Sequence, residues 1–392
     1  MPRFTLPRTA VAGGVAVIAV AALAGCSAGS GATEPSASAD LTIGSVDLAA
    51  AGCPATVVIQ TDWNPEGEHG HLYEMFGDDY TLDASTKAVR GPLMSQGEYT
   101  GVDLEVRSGG PAIGFQTVSS QLYLDPEITL GYVSTDEAIQ LSDQNPTVAV
   151  MAPLDKSPQD IMWDPESYPG VTTIAELAEA GAMVRYYSGA AYMSYLIGAG
   201  IIPEDQTDGS FDGTPANFVA SGGKDAQQGF ASADPYIYEN EVPSWNKPIT
   251  YQLIHDTGYP YYQGALSVKA DQLESLSGCF EALVPVLQQA EVDYFADPAA
   301  ANTLIVDAVE AFDTGWEYSV GVADFAHDTM LEEGLASNGD DGTIGDIDEE
   351  RVQRIIDITT PIFTDAGTPP VDGLVAGDLF TNEFLDESIG LQ

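Results

Sequence analysis

VVIQTDWNPEGEHGHLYEMFG, residues 57–77, changes character at Thr61. Before it stands a short apolar run, Thr56 to Ile59, whose β-branched residues suit a buried strand. After it, between Thr61 and Tyr73, come three carboxylates, a Trp, two His and a Tyr. A strand that ends in so many recognition groups has two readings: a catalytic constellation, or one wall of a ligand pocket.

The alternation of strand-type and helical runs repeats outward. GVDLEVRSGGP (101–111) precedes AIGFQTVSSQLYL, and ITLGYVSTDEAIQLS (128–142) passes from strand to helix pattern at Ser134. A second series opens at PTVAVMAPLD (146–155) and runs through MVRYYSGAAYMSYLIGAG (183–200), FVASGGKDAQQGFASADPYIY (218–238) and ITYQLIHDTGYPYY (249–262). Such alternation predicts parallel sheets with crossover helices, and ligands there sit beyond the carboxyl ends of the strands. From Leu266 the pattern turns mostly helical, and the last helix is expected to begin at Asp346 and Glu349 in capping-box spacing. The fold class is therefore α/β with two lobes: residues 53–148 and 264–392 form lobe one, and 149–263 form lobe two. The helical C-terminal third packs back on lobe one, and the two crossings, near 145–155 and 262–266, act as a hinge around a cleft.

Charge excludes some partners. With 60 acidic and 12 basic residues the formal net charge is −48, which repels nucleic acid and anionic surfaces. At the N-terminus, Arg3 and Arg8 precede an apolar run from Ala10 to Ala24, shorter than the roughly 20 residues that span a bilayer. This is a secretory signal, residues 1–25. LAGC ends it and resembles the bacterial lipoprotein signal, which implies that Cys26 is lipidated and becomes the mature N-terminus, anchored outside the cytoplasm. The small and polar stretch that follows reads as a flexible tether, assigned to 26–52. Cys53 and Cys279 remain, and an oxidising compartment favours pairing them. Closing so long a loop stabilises by about 4–5 kcal/mol in the chain-entropy model.

Several stretches together resemble the solute-binding lipoproteins of bacterial ABC importers, in the group covering nitrate, sulfonate, taurine and thiamine-pyrimidine precursors. They are the strand-plus-DW opening with Asp62, Trp63, His69 and Tyr73, then TIAELAEAGAMVRYYSGAAYMSYLIGAG, then DAQQGFASADPYIYENEV. The resemblance implies a type II periplasmic-binding-protein fold that closes on a small-molecule solute and delivers it to permease subunits, as a monomer without a cofactor. A fungal branch of the group is a pyrimidine-synthesis enzyme with a Cys-rich motif and an essential His. His69 is present here, but the Cys-rich motif is absent.

Candidate binding residues follow. Trp63 offers a flat stacking surface or covers the end of the core. Of the carboxylates Asp62, Glu66 and Glu68, the one beside His69 is preferred, Glu68. SGGP (Ser108, Gly109, Gly110) and YYSGAAY (Ser188, Gly189, Tyr192) sit where strands give way to helices, as does Ser134, and helix starts with small residues expose backbone N–H groups. Tyr73, Asp234, Tyr236 and Tyr259 complete the expected pocket. His69 and His71 lie two apart with no second cluster at zinc spacing, so no metal is expected. NGDDGTIGDIDEE (338–350) fails the calcium-loop spacing and reads as a solvated loop. An oxyanion pocket wants an Arg or Lys clamp, for which Arg90, Arg107, Arg185, Lys224 and Lys247 are available. The carboxylates and aromatics of the opening loop favour instead a planar N-heterocycle of the thiamine-pyrimidine type.

Overall fold

The computed structural model describes residues 41–392; the expected signal peptide, the expected lipidation site at Cys26 and the expected tether as far as residue 40 lie outside the described residues. In chain order the strands are β1 (Thr56–Gln60), β2 (Thr81–Asp83), β3 (Ala88–Ser95), β4 (Glu98–Arg107), β5 (Leu130–Val133), β6 (Thr147–Met151), β7 (Gln159–Trp163), β8 (Met183–Arg185), β9 (Thr207–Asp208), β10 (Asp225–Phe230), β11 (Thr250–Leu253) and β12 (Ala265–Lys269). They form a seven-stranded sheet in the order β2-β3-β4-β1-β5-β12-β6 and a five-stranded sheet in the order β11-β7-β10-β8-β9.

β1 is central in the first sheet, parallel to β4 and β5. Its alternate residues serve two cores: Val57 and Ile59 face one with Leu72 and Phe280, and Val58 faces the other with Val118 and Leu122. A strand covered on both faces reads as an unbroken apolar run, which is why TVVI lacks alternation. The sheets are mixed, however, where parallel ones were expected. β3 and β4 form an antiparallel pair, β12 runs antiparallel between β5 and β6, and β7 runs antiparallel to β10 and β11. β12 owes its direction to its history: the chain leaves the first sheet after β6, builds the second, and re-enters from the opposite end.

The helix Leu273–Ala296 lays Phe280, Leu283 and Leu287 on the core under β1. A disulfide between Cys53 and Cys279 ties its first turns to the residues just before β1. The helices Ala299–Phe312 and Val320–Glu332 extend the same core. The last helix, Glu349–Asp365, departs from the expectation that the whole C-terminal third sits on lobe one. Its Val352, Ile355, Ile356 and Phe363 share a core with Ile139 from the first sheet's side and with Val184 and Leu196 from the second's. It spans both.

Three local expectations are corrected. Residues 41–52 are not a free tether: Leu48 is fully buried, its N–H donates to Thr100 O, and Ile43 bridges to Tyr99. Leu48, with the partly buried Val46 beside it, anchors this segment to the core. The last helix is capped by Asp348, not Asp346; the Asp348 carboxylate accepts from Arg351 N at 2.6 Å. The loop before it is not wholly solvated, since Thr343 and Ile344 are buried and Gln288 Nε2 donates to Ile344 O at 2.9 Å.

Candidate functional site between the two sheets

The chain passes from sheet to sheet twice, between β6 and β7 and between β11 and β12. Arg351, in the first turn of the last helix, holds both passages. Its guanidinium donates to Asp155 Oδ1 at 2.8 Å on the first, and to Pro260 O at 2.6 Å and Tyr261 O at 3.3 Å on the second, while stacking 3.8 Å over the Tyr262 ring. Ser157 Oγ donates to Tyr261 Oη at 3.0 Å, linking the passages directly.

Above this hinge lies a cavity between the sheets. The loop after β1 supplies Asp62, Glu66, Glu68 and His69; β5 supplies Tyr132; the passages supply Leu154 and Gln263; β10 supplies Phe230 from the second sheet. All these groups sit at or near the carboxyl ends of strands or on the crossings, where open α/β sheets place ligands. The cavity is tight, about 10 Å³, room for one water. Contacts from sheet to sheet close it: Ser232 Oγ donates to Glu68 Oε1, the Phe115 and Tyr187 rings lie 6.3 Å apart, and Tyr236 meets Phe325 at 5.8 Å.

The loop after β1 reaches the cavity because its neighbours are small. A side chain on Gly109 would lie 2.2 Å from Thr61 O, and Gly110, at φ +53°, lies against the Trp63 ring. These two glycines let the loop after β4 press on the loop after β1. Gly70 likewise leaves room for the Tyr294 ring, 2.2 Å from where a Cβ would stand.

Electrostatics divide the acidic groups. Burial pushes the Asp62 carboxyl up, but hydrogen bonds from His69 Nε2 (2.9 Å) and Gln263 Nε2 (3.0 Å) outweigh it and hold Asp62 below its ordinary value. Glu66 has no such support: burial and then repulsion from Glu68, Asp62 and Asp234 raise it well above the usual carboxyl range. Glu68 is also raised by burial, against the Ser232 hydrogen bond, and its Oε2 is buried with no partner. On the second sheet, burial lifts Asp234 to about 6 although Phe230 N donates to it at 2.7 Å. Asp160 of β7 is completely buried with both carboxyl oxygens unpartnered, and burial followed by repulsion from Asp234 raises it well above normal. His69 Nδ1 is buried and unpartnered as well.

His71 belongs to the wall behind. Its Nδ1 lies 2.9 Å from Glu291 and its Nε2 3.0 Å from Tyr132 Oη, fixing the phenol that His69 meets edge-on at 4.7 Å. No grouping of three or more His, Cys, Asp or Glu side chains able to hold a metal occurs among the described residues.

Of the sequence-selected residues, Glu68 and His69 line the cavity. Trp63 stands outside its lining, half-buried between Phe115 and Trp316, each ring 6.1 Å away. Tyr73 is a core residue under β1. Ser108 is buried beside Gly109 and Gly110. Ser134 and Tyr259 both donate to Asp136, at 2.8 and 3.0 Å, and Tyr259 is completely buried in the second core. Ser188 and Gly189 are exposed. Tyr192 Oη donates to Gln228 Oε1 at 2.9 Å, and Tyr236 packs on Phe325. Sequence reasoning missed Tyr132, Leu154, Phe230 and Gln263 as lining residues. Tyr132 sits in an apolar strand and reads as core; Gln263, directly after the aromatic cluster at the second crossing, was the visible signal.

No protein-family model matches the chain, and no curated protein matches it either. Solved structures do. The periplasmic aliphatic sulphonate binding protein SsuA from Escherichia coli aligns at 14% identity over 85% of this chain and 99% of its own, with a TM-score of 0.52. A protein from Bordetella bronchiseptica RB50 aligns at 15% identity over 84% and 96%, with the same TM-score of 0.52. The chain has the two-lobed fold of periplasmic binding proteins. The alkanesulfonate-binding protein SsuA from Xanthomonas axonopodis pv. citri, bound to MOPS, aligns at 13% identity over 84% and 99%, with a TM-score of 0.49. At these identities the likeness is one of fold. The cavity over Arg351 lies between the two sheets of that fold.

Proposed function

We propose that this protein is the extracytoplasmic solute-binding component of an ABC importer, tethered by lipid on Cys26 and acting as a monomer. One observation carries the reading: the cavity lies between two sheets, at the strand ends of both, above two crossings clamped by a single arginine. Residues 53–148 with 264–348, and residues 149–263, are the two moving lobes, with the helix Glu349–Asp365 packed on both. The lobes part about the crossings, admit a small polar solute and close on it, and the closed form engages the permease. Closure by solute requires that the solute bind the closed state more tightly than the open one.

For the solute, the fold neighbour at TM-score 0.52 that is a sulphonate-binding protein favours the sulfonate-type alternative over the thiamine-pyrimidine type, to which the comparisons do not speak. A thermal-shift screen of the full chain in detergent, against sulfonates, nitrate, aminopyrimidines, amines and carboxylates, tests the reading. A solute at a hundredfold excess over its Kd stabilises by about 2.7 kcal/mol, which such a scan registers easily. Reversible stabilisation with the solute recovered unchanged supports capture. Chemical conversion of the solute, or silence across the panel, contradicts it.

A further inference from the structure

We infer that the solute is an organic ammonium ion, whose N–H groups are accepted by Glu66 and by the free Oε2 of Glu68 between the lobes. The inference rests on the solute-capture reading above but, on the chemistry of the lining, replaces the sulfonate-type solute that the fold neighbour favours with a cationic one. The cavity is lined by three carboxylates, Asp62, Glu66 and Glu68, and by neither Arg nor Lys. Asp62 is already occupied by His69 and Gln263. Glu68 is 93% buried, lines the cavity, and keeps one oxygen with no protein partner, although a buried carboxylate oxygen is costly to leave so. A ligand that donates hydrogen bonds and carries positive charge removes that cost, and one that carries negative charge multiplies it.

Of the cations available to an oxyanion clamp, Lys224 is exposed and outside the lining, and the others are paired with carboxylates, Arg90 with Asp83 and Glu105. Arg185 is paired with Asp208 at 2.7 Å and Asp225 at 2.8 Å; Arg107 with Glu105 and Asp125; Lys247 with Asp164 and Glu166. Behind the second-sheet wall, a Cβ placed on Gly229 would lie 2.8 Å from Asp160 Oδ1 and 2.9 Å from Asp234 Oδ2, so two more carboxyls stand beside Phe230. The aromatic part of the lining, Tyr132 and Phe230, suits a cation as well, since ring faces attract ammonium groups. At long range the net charge of −48 draws cations toward the cleft and repels anions.

Isothermal titration of the full chain in detergent with butylammonium, putrescine, butanesulfonate and 2-aminopyrimidine separates the cases, because the first and third share a butyl chain and differ in the head group, a cationic hydrogen-bond donor against an anionic acceptor. The expected result is binding of butylammonium or putrescine, weakened about tenfold or more in Glu66→Gln and in Glu68→Gln, with neither variant melting below the parent when unliganded. That last readout distinguishes a ligand-holding carboxylate from a structural one. Binding of butanesulfonate or 2-aminopyrimidine without either amine overturns the ammonium inference and leaves the importer reading standing. Binding of an amine undiminished in both variants overturns the inference as well. Heat from none of the four overturns both.

Discussion

The hinge and the cleft differ in how they treat charge. At the hinge, Arg351 is matched donor by donor: one carboxylate, carbonyls from the second passage and an aromatic face all meet it. Between the sheets, the cleft is lined by Glu66 and Glu68 without an Arg or Lys, with Asp160 and Asp234 behind its second-sheet wall, and Asp160 and Glu68 leave oxygens unpartnered. A satisfied buried ion fixes geometry, whereas an unsatisfied one stores unfavourable energy that a partner can release. On the capture reading proposed above, Arg351 holds the two crossings in register and the cleft is completed by a solute.

The largest effect is expected at the hinge. Arg351→Ala leaves Asp155 and the Pro260 and Tyr261 carbonyls without their donor and should cost about 3 kcal/mol, from several hydrogen bonds to a charged group at a partly exposed pair. Urea denaturation measures it; a loss below about 1 kcal/mol would place Arg351 among surface ion pairs and erase the contrast.

The cleft should respond to pH in the opposite way to an ordinary set of salt-bridged carboxylates. Asp234 titrates near 6 in the fold against 3.8 for the free side chain, so between those values the folded protein holds a proton that the unfolded chain has lost. Its destabilising contribution is absent below 3.8 and complete above about 6. Glu137, half-buried outside the cleft on the helix Thr135–Gln140 and raised by desolvation to about 7 from 4.5, acts in the same direction. Unliganded stability should therefore fall by about 1–3 kcal/mol from about pH 4 to about pH 7. Urea midpoints at the two ends check it, and a rise would mean that the cleft carboxylates are compensated after all.

A smaller effect is expected at Trp63, which joins Phe115 and, through it, Tyr187 in a row of rings from one sheet to the other. Trp63→Ala should lower unliganded stability by only about 1 kcal/mol, the worth of an aromatic pair. Solute affinity, measured by titration, should fall more than stability does, because the row is complete only when the lobes are closed. Equal losses would make Trp63 a cover for the core.

These regions were unequally legible. The α/β class and the strand at 57–60 were readable because both faces of β1 are buried and its sequence says so. The strand directions were not, since nothing in ALSVK records that it enters the first sheet from the far side. In the cleft, Glu68 and His69 were visible as polar residues crowded after a strand, while Tyr132 and Phe230 look like any core aromatic until the fold brings them to one space. Tyr73 and Tyr259 drew attention for the same reason and turned out to serve the core. The clamp role of Arg351 was invisible, because its partners lie about 90 and 196 positions away.

Glu66 offers the most direct measurement. If the cleft stores unfavourable charge that a solute relieves, replacing that buried carboxyl by an isosteric amide removes the strain without the solute. The unliganded melting temperature of Glu66→Gln should then exceed that of the parent near neutral pH, by a margin corresponding to about 1 kcal/mol or more. A variant that melts lower would show that Glu66 is held by the fold for stability, and the cleft would lose its claim to be a site awaiting a partner.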